Sequence, residues 1–242
     1  MKKGSVIGVI LPDDGPFDYE WLRIQEVLAD TDYRSLTVRV ERSPADGIMQ
    51  KDNLLAIGSD GTLAGSARRL ATGGADCILW GCTSGSFAGG YNRAQAQVSA
   101  LSSVSGKPAT STSMALATAA LAMGAPQVDL LSAYDAAVTE LFVGFLREAG
   151  VSVMKSHSLG CVLTEESFAV DLAQELSGFC ARVTSKLPIL VPDTAINTLD
   201  RIGELQRLAG RPVVTANQAS LWHAAYLLGR APRDVTMGFA GS

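Results

Sequence analysis

Gly106-Lys107-Pro108-Ala109-Thr110 and Gly210-Arg211-Pro212-Val213-Val214 share one pattern: glycine, a basic residue, proline, then a short run suited to a strand. Each leads through a Ser, Thr or Asn turn into a helix-forming stretch, and these close on Met123-Gly124 and on Leu228-Gly229. The likeness continues upstream. Cys77-Ile78-Leu79-Trp80-Gly81-Cys82-Thr83 and Pro188-Ile189-Leu190-Val191-Pro192-Asp193-Thr194 are both apolar runs that end in a polar turn. Farther back, Val6 to Leu11 with its acidic loop matches Val128 to Leu131 followed by Ser132-Ala133-Tyr134-Asp135. The chain reads as two copies of one four-strand unit.

Working outward, strand-like runs are expected at Val6 to Leu11, Ser35 to Val40, Cys77 to Trp80, Pro108 to Thr110, Val128 to Leu131, Val151 to Met154, Leu187 to Val191 and Pro212 to Thr215. Helical spacing is expected at Trp21 to Leu28, Leu63 to Ala71, Asn92 to Leu101, Ala136 to Glu148, Ser167 to Val183 and Leu199 to Leu208. Alternation of this kind signals parallel sheets with crossover helices. The expected fold is therefore α/β, with two pseudo-symmetric Rossmann-like lobes that each carry a four-stranded parallel sheet. Residues 1–112 with 217–242 would form the first lobe, and 113–216 the second. Ligands of open parallel sheets bind beyond the carboxyl ends of the strands. Two facing units thus place the active site in the cleft between them, at the loops Pro12 to Pro16, Cys82 to Phe87, Ala133 to Asp135 and Asp193 to Asn197.

Composition narrows the partners. A net charge of −4 and the lack of Lys/Arg clusters argue against nucleic acid. The four cysteines form no CxxC pair, and with only His157 and His223 no zinc-ligand spacing arises. The apolar run after Met1-Lys2-Lys3 is stopped by Pro12-Asp13-Asp14, too early for a signal peptide. No stretch approaches the roughly 18 uninterrupted apolar residues of a membrane span. The expectation is a cytoplasmic protein without cofactor or metal, either a monomer or a homo-oligomer, whose partner is a small molecule.

Gly81-Cys82-Thr83-Ser84-Gly85-Ser86-Phe87, Tyr134, Thr198-Leu199-Asp200 and the run from Pro212 to Ala219 before Trp222 together resemble the aspartate/glutamate racemase superfamily, in its arylmalonate decarboxylase and maleate cis-trans isomerase branch. The likeness spans Ile7 to Gly229. It implies a cofactor-independent enzyme acting at the α-carbon of a small carboxylate or dicarboxylate. Members use one or two cysteines, one after a strand in each half. Here Cys82 fills the first-half place, and Asp193 stands where a two-cysteine member has its second thiol. The leading expectation is a maleate isomerase-like or racemase-like enzyme working through Cys82. The alternatives are an arylmalonate-type decarboxylase with one thiol as proton donor, and a degenerate protein that only binds a small carboxylate.

The residue types carry this chemistry in stated ways. Cys82 sits where a strand stops and a turn begins, a setting in which following amides can lower a thiol from about 8.5 toward neutrality; otherwise it is a small buried residue. Thr83 and Ser84 supply hydroxyls and amides for a carboxylate or an enediolate, or simply cap a helix. The resemblance implies a Tyr134 phenol on the same oxygens, where an aromatic plug is the plainer reading. Asp193 is a general acid/base, a helix cap, or a selector against anions. Pro12, Asp13, Thr194 and Ala195 complete the expected substrate contacts. Cys77, Cys161, Cys180 and both histidines are read as packing or surface residues.

Overall fold

The computed structural model describes residues 4–15, 19–231 and 235. Its first half runs β1 (Ser5–Asp13), α1 (Tyr19–Leu22), α2 (Ile24–Leu28), β2 (Leu36–Pro44), α3 (Lys51–Ile57), α4 (Asp60–Thr72), β3 (Cys77–Trp80), α5 (Ser84–Phe87), α6 (Tyr91–Ser105), β4 (Ala109–Ser111) and α7 (Thr112–Ala122). The second half runs β5 (Gln127–Tyr134), α8 (Ala136–Glu148), β6 (Ser152–Cys161), α9 (Thr164–Phe168), α10 (Leu172–Arg182), β7 (Ile189–Val191), α11 (Ile202–Ala209), β8 (Val213–Thr215) and α12 (Ala216–Leu227). The tail of the expected first lobe lies outside the described residues apart from Val235, as do Met1-Lys2-Lys3 and Pro16.

Every named strand pairs parallel, and the two sheets have the same order, β2-β1-β3-β4 and β6-β5-β7-β8. All four residues of β3 and all three of β7 are buried, as expected of parallel strands covered on both faces. Edge strands β2 and β6 are instead mostly exposed or half-buried.

The doubled motif has one geometric meaning in both copies. Gly106 (φ 67°) and Gly210 (φ 60°) are left-handed caps of α6 and α11, and their N–H groups donate to the carbonyls of Ser102 (2.8 Å) and Gln206 (3.0 Å). The following prolines give up no needed donor. Their carbonyls accept from Ile78 and Ile189, both at 2.9 Å, which starts the pairing of β4 on β3 and β8 on β7. The basic residues differ: Arg211 makes a buried ion pair with Asp129 of β5 at 2.6 Å, whereas Lys107 is only half-buried.

After each fourth strand the chain crosses to the other half. α7 places Ala115, Leu116, Ala119 and Ala120 in one core with residues of β5, β7 and β8. α12 places Leu221, Ala224 and Ala225 against Ile7, Val9 and Leu11 of β1. This exchange, with Phe87 of α5 stacked among Tyr134 and Phe142, makes the seam between the sheets an apolar core.

Two expected helices are broken. Ser167 to Val183 was expected as one helix, but α9 ends at Phe168 and α10 begins at Leu172, because Asp171 accepts the Gln174 N–H at 3.2 Å and caps a new start. Trp21 to Leu28 is interrupted at Arg23, and α3 was not expected at all. Among the described residues no helix is long and apolar enough to cross a membrane.

Candidate active site

The loops after β1, β3 and β7 converge on one cleft lined by Leu11, Pro12, Asp14, Cys82, Thr83, Ser84, Asp193, Thr194 and Ala195. The segment after β2 closes it with Gly47, Ile48 and Met49, and Leu54 and Ile57 of α3 form an apolar wall. Three of the four expected loops therefore meet here, and Ala133 to Asp135 gives the cleft no lining residue.

The two loops that carry the candidate acid/base groups touch each other. Asp193 N–H donates to Thr83 Oγ1 (3.2 Å), and the Thr194 hydroxyl donates to the Gly81 carbonyl (3.3 Å). Gly81 is required at this approach, since a Cβ there would lie 2.7 Å from Leu11 Cδ2.

Cys82 is 5% exposed and accepts the Gly85 N–H at 3.3 Å, with Ser84 Oγ 3.9 Å away. The sequence favours a depressed thiol at this position, and the structure corrects that. Burial pushes the Cys82 thiol up to about 12, Asp14 and Asp193 push the same way, and the Gly85 amide and Ser84 hydroxyl only partly oppose them. Burial thus favours the neutral thiol over the thiolate.

Asp193 is 7% exposed and holds φ at 97°, the one described non-glycine residue with positive φ. Its Oδ1 accepts the Ala195 N–H (3.0 Å), and its Oδ2 has no hydrogen-bond partner. Burial raises its carboxyl above the ordinary value, aided by Asp14 and opposed by the Ala195 amide and the nearby Ser167 hydroxyl. Both groups thus retain protons more readily than in water.

Tyr134, fully buried, packs edge-on against Phe87 with ring centres 5.6 Å apart. Its phenol lies beside Thr83 and Ser84 but outside ordinary hydrogen-bond geometry, and burial raises it well above its usual value. A buried hydroxyl and a buried carboxylate oxygen without partners, both close to Cys82, are the groups a bound oxyanion or polar ligand would satisfy.

Asp13 is exposed beside Pro44, and its neighbour Asp14 faces the cleft. The strand runs two residues farther than expected, and its alternation carries on so that Pro12 and Asp14 face the cleft while Asp13 faces away. Asp14 Oδ2 accepts the Thr164 hydroxyl at 2.9 Å. Cys161, at the end of β6, lies near enough to Asp193 to be raised by it after burial. His223 is a packing residue bonded to Thr110 Oγ1 (2.8 Å). Among the described residues no three His, Cys, Asp or Glu side chains could together hold a metal ion.

Sequence reasoning missed Glu20 and Thr164, and met Phe87 and Asn217 only as members of motifs without a role of their own. Glu20 carried a signal, as an acid inside the apolar run Tyr19-Glu20-Trp21-Leu22.

Residues 59–239 match the arylmalonate decarboxylase family. The arylmalonate decarboxylase of Bordetella bronchiseptica is 34% identical over 167 residues, covering 67% of this chain and 69% of that protein. A double mutant of arylmalonate decarboxylase in liganded form superposes with a TM-score of 0.79 at 29% identity, over 93% of each chain. A maleate isomerase variant from Pseudomonas putida S16, solved with maleate, superposes with a TM-score of 0.83 at 20% identity, over 97% of this chain and 98% of that one.

Proposed function

The chain belongs to the arylmalonate decarboxylase family, and on that premise we propose that it removes one carboxylate from an α-substituted malonate and protonates the α-carbon from Cys82. The observation that carries this reading is the place of Cys82, a buried thiol that lines the cleft together with the apolar side chains of Leu54 and Ile57, where burial favours its neutral form. A nucleophilic route would need a thiolate, whereas a decarboxylase needs a proton to deliver after the bond has broken.

The steps balance with the residues present. One carboxylate lies against the hydroxyls of Thr83, Ser84 and Tyr134. The other faces the apolar wall of Leu11, Met49, Leu54 and Ile57, where its charge is poorly solvated. The bond between that carboxylate and the α-carbon breaks, carbon dioxide leaves, and the electron pair passes into the retained carboxylate as an enediolate. Hydroxyl donors stabilise the new charge. The Cys82 S–H proton then goes to the α-carbon, and the thiolate takes a proton from solvent. Pro12, Thr194 and Ala195 contribute walls.

Asp193 supports a second reading. Its carboxyl, with one free oxygen and a raised affinity for its proton, lines the cleft from the opposite loop. A group so placed suits proton exchange at the other face of the α-carbon, an isomerase of the racemase type. Four unpaired thiols suit the reducing cytoplasm, where we place the protein.

Phenylmalonate and maleate, each incubated with the protein in heavy water and followed by NMR, test the proposal. The expected result is loss of carbon dioxide from phenylmalonate with one deuterium at the α-carbon. Conversion of maleate to fumarate with no decarboxylation of phenylmalonate would overturn it in favour of cis-trans isomerisation. Binding with neither reaction would mark a carboxylate-binding protein.

A further inference from the structure

Asp193 combines a strained backbone with a catalytic assignment, and its loop has no helix of its own to hold it. Residues 194–201 run without regular structure until α11 begins at Ile202. A side chain from the far end of the other half holds them. Glu20 of α1, 6% exposed, accepts the N–H groups of Thr198 (2.7 Å) and Leu199 (2.8 Å) on one carboxylate oxygen. Its other oxygen accepts the side-chain amide of Asn217 in α12. That amide also donates to the Thr194 carbonyl at 3.0 Å, one residue past Asp193. The Glu20 N–H in turn donates to Asn197 Oδ1 at 3.2 Å.

We propose that Glu20, acting with Asn217, is a positioning residue that fixes the Asp193 loop against the cleft. The inference rests on the proposed decarboxylation, in which this loop holds the carboxylate-binding Thr83 through the Asp193 N–H (3.2 Å) and walls the cleft with Thr194 and Ala195. A carboxylate is a poor choice for filling space here. Burial pushes Glu20 up to about 7, with Asp200 adding to the push, while the Leu199, Thr198 and Asn217 donors pull it back. What this expensive group supplies is acceptor capacity for three donors at once, which no apolar residue and no neutral amide of the same shape can match.

The orientation of Asn217 is fixed. Its Oδ1 accepts the Trp21 indole N–H at 3.1 Å, so its NH2 must face Glu20 and the Thr194 carbonyl. Glu20→Gln therefore sets its NH2 against a donor whichever way it lies, either the Asn217 NH2 or the Thr198 and Leu199 N–H groups. Turning Asn217 over to relieve the clash would abandon both Trp21 and Thr194.

Three forms are compared, the wild type, Glu20→Gln and Glu20→Asp. Hydrogen exchange is read at Thr198 and Leu199, and kcat and KM are measured with phenylmalonate. In Glu20→Gln the two amides should exchange at least about tenfold faster with the strand amides unchanged. Loss of alignment should lower kcat by roughly a hundredfold while KM moves little. Glu20→Asp, which keeps the charge, should recover part of the rate. Unchanged protection at Thr198 and Leu199, or faster exchange with wild-type kcat, would overturn the proposal. Should Glu20→Gln fail to fold, Asn217→Ser leaves the carboxylate on its two amides and releases the Thr194 carbonyl; a comparable fall in kcat is expected, and a wild-type kcat counts against the proposal. Amide protection reads the clamp without substrate. A wild type that leaves phenylmalonate undecarboxylated would instead sink the proposed function and leave the protection result standing.

Discussion

The loops after β3 and β7 occupy equivalent places in the two units and are held by opposite means. After β3 the chain enters α5 at once, so the Gly85 N–H that meets Cys82 belongs to the same turn, and Phe87 three residues on from Ser84 anchors that turn among Tyr134 and Phe142. After β7 no helix follows for ten residues, the backbone at Asp193 is forced to positive φ, and the restraints come from Thr83, Glu20 and Asn217 elsewhere in the chain. Positive φ in a residue with a Cβ costs about 1–2 kcal/mol and persists only where the surroundings over-determine it. Duplication supplied the frame twice, while the chemistry diverged by how each loop is fastened.

The largest test of this contrast is Cys82→Ala. If the first-half loop carries the proton donor, decarboxylation of phenylmalonate should fall by about 10³-fold with the melting temperature little changed, because the turn is held by α5 and Phe87. Retained turnover would transfer the donor's role to Asp193. Next in size is Tyr134→Phe, expected to lower kcat by about a hundredfold through loss of one oxyanion donor. Stability should hold or rise, since the phenol is buried without a partner. A variant that loses stability and keeps its rate would reduce Tyr134 to a plug.

A third test reads the thiols directly. Because the folded Cys82 thiol titrates near 12, its thiolate fraction at pH 7 is minute and grows about tenfold for each pH unit up to that value. Alkylation followed by mass spectrometry should therefore modify the partly exposed Cys180 first at pH 7, and modification of Cys82 should accelerate steadily between pH 7 and 9. Fast labelling of Cys82 at pH 7 would restore the thiolate nucleophile and with it the cis-trans isomerase. The smallest effect is expected from Gly85→Ala, whose new Cβ would sit 3.1 Å from Cys82 Sγ and 3.2 Å from Ile57. A shift of a few tenths of an ångström in the thiol should slow turnover several-fold, seen as a fall in kcat with phenylmalonate.

The same contrast explains what could be read from the chain. The eight strands, the repeat and the Cys82 loop announce themselves locally, through apolar runs, a Gly-basic-Pro signature and a hydroxyl-rich turn. Asp193 was visible as a position and invisible as a conformation, since positive φ at an aspartate has no sequence mark. The Glu20 carboxylate meets Thr198 and Leu199 across 178 and 179 residues, a pairing that only the assembled fold creates. Asp13 and Asp14 exchange roles for a different reason: two added residues of strand decide which of two adjacent acids points inward. The expected depression of the Cys82 thiol failed because neighbouring amides were visible in sequence and the depth of burial was not.

Across the mouth of the cleft, Met49 N–H donates to the Val162 carbonyl (2.9 Å), Thr164 N–H to the Gly47 carbonyl (3.0 Å), and the Thr164 hydroxyl to Asp14 (2.9 Å). Gly47, Ile48, Met49 and Thr164 all line the cleft, so the wall that the first unit gives it is fastened to the second. With each bond contributing about 1 kcal/mol net, this fastening is weak beside the apolar seam, and the wall can be retuned by single substitutions without parting the two sheets.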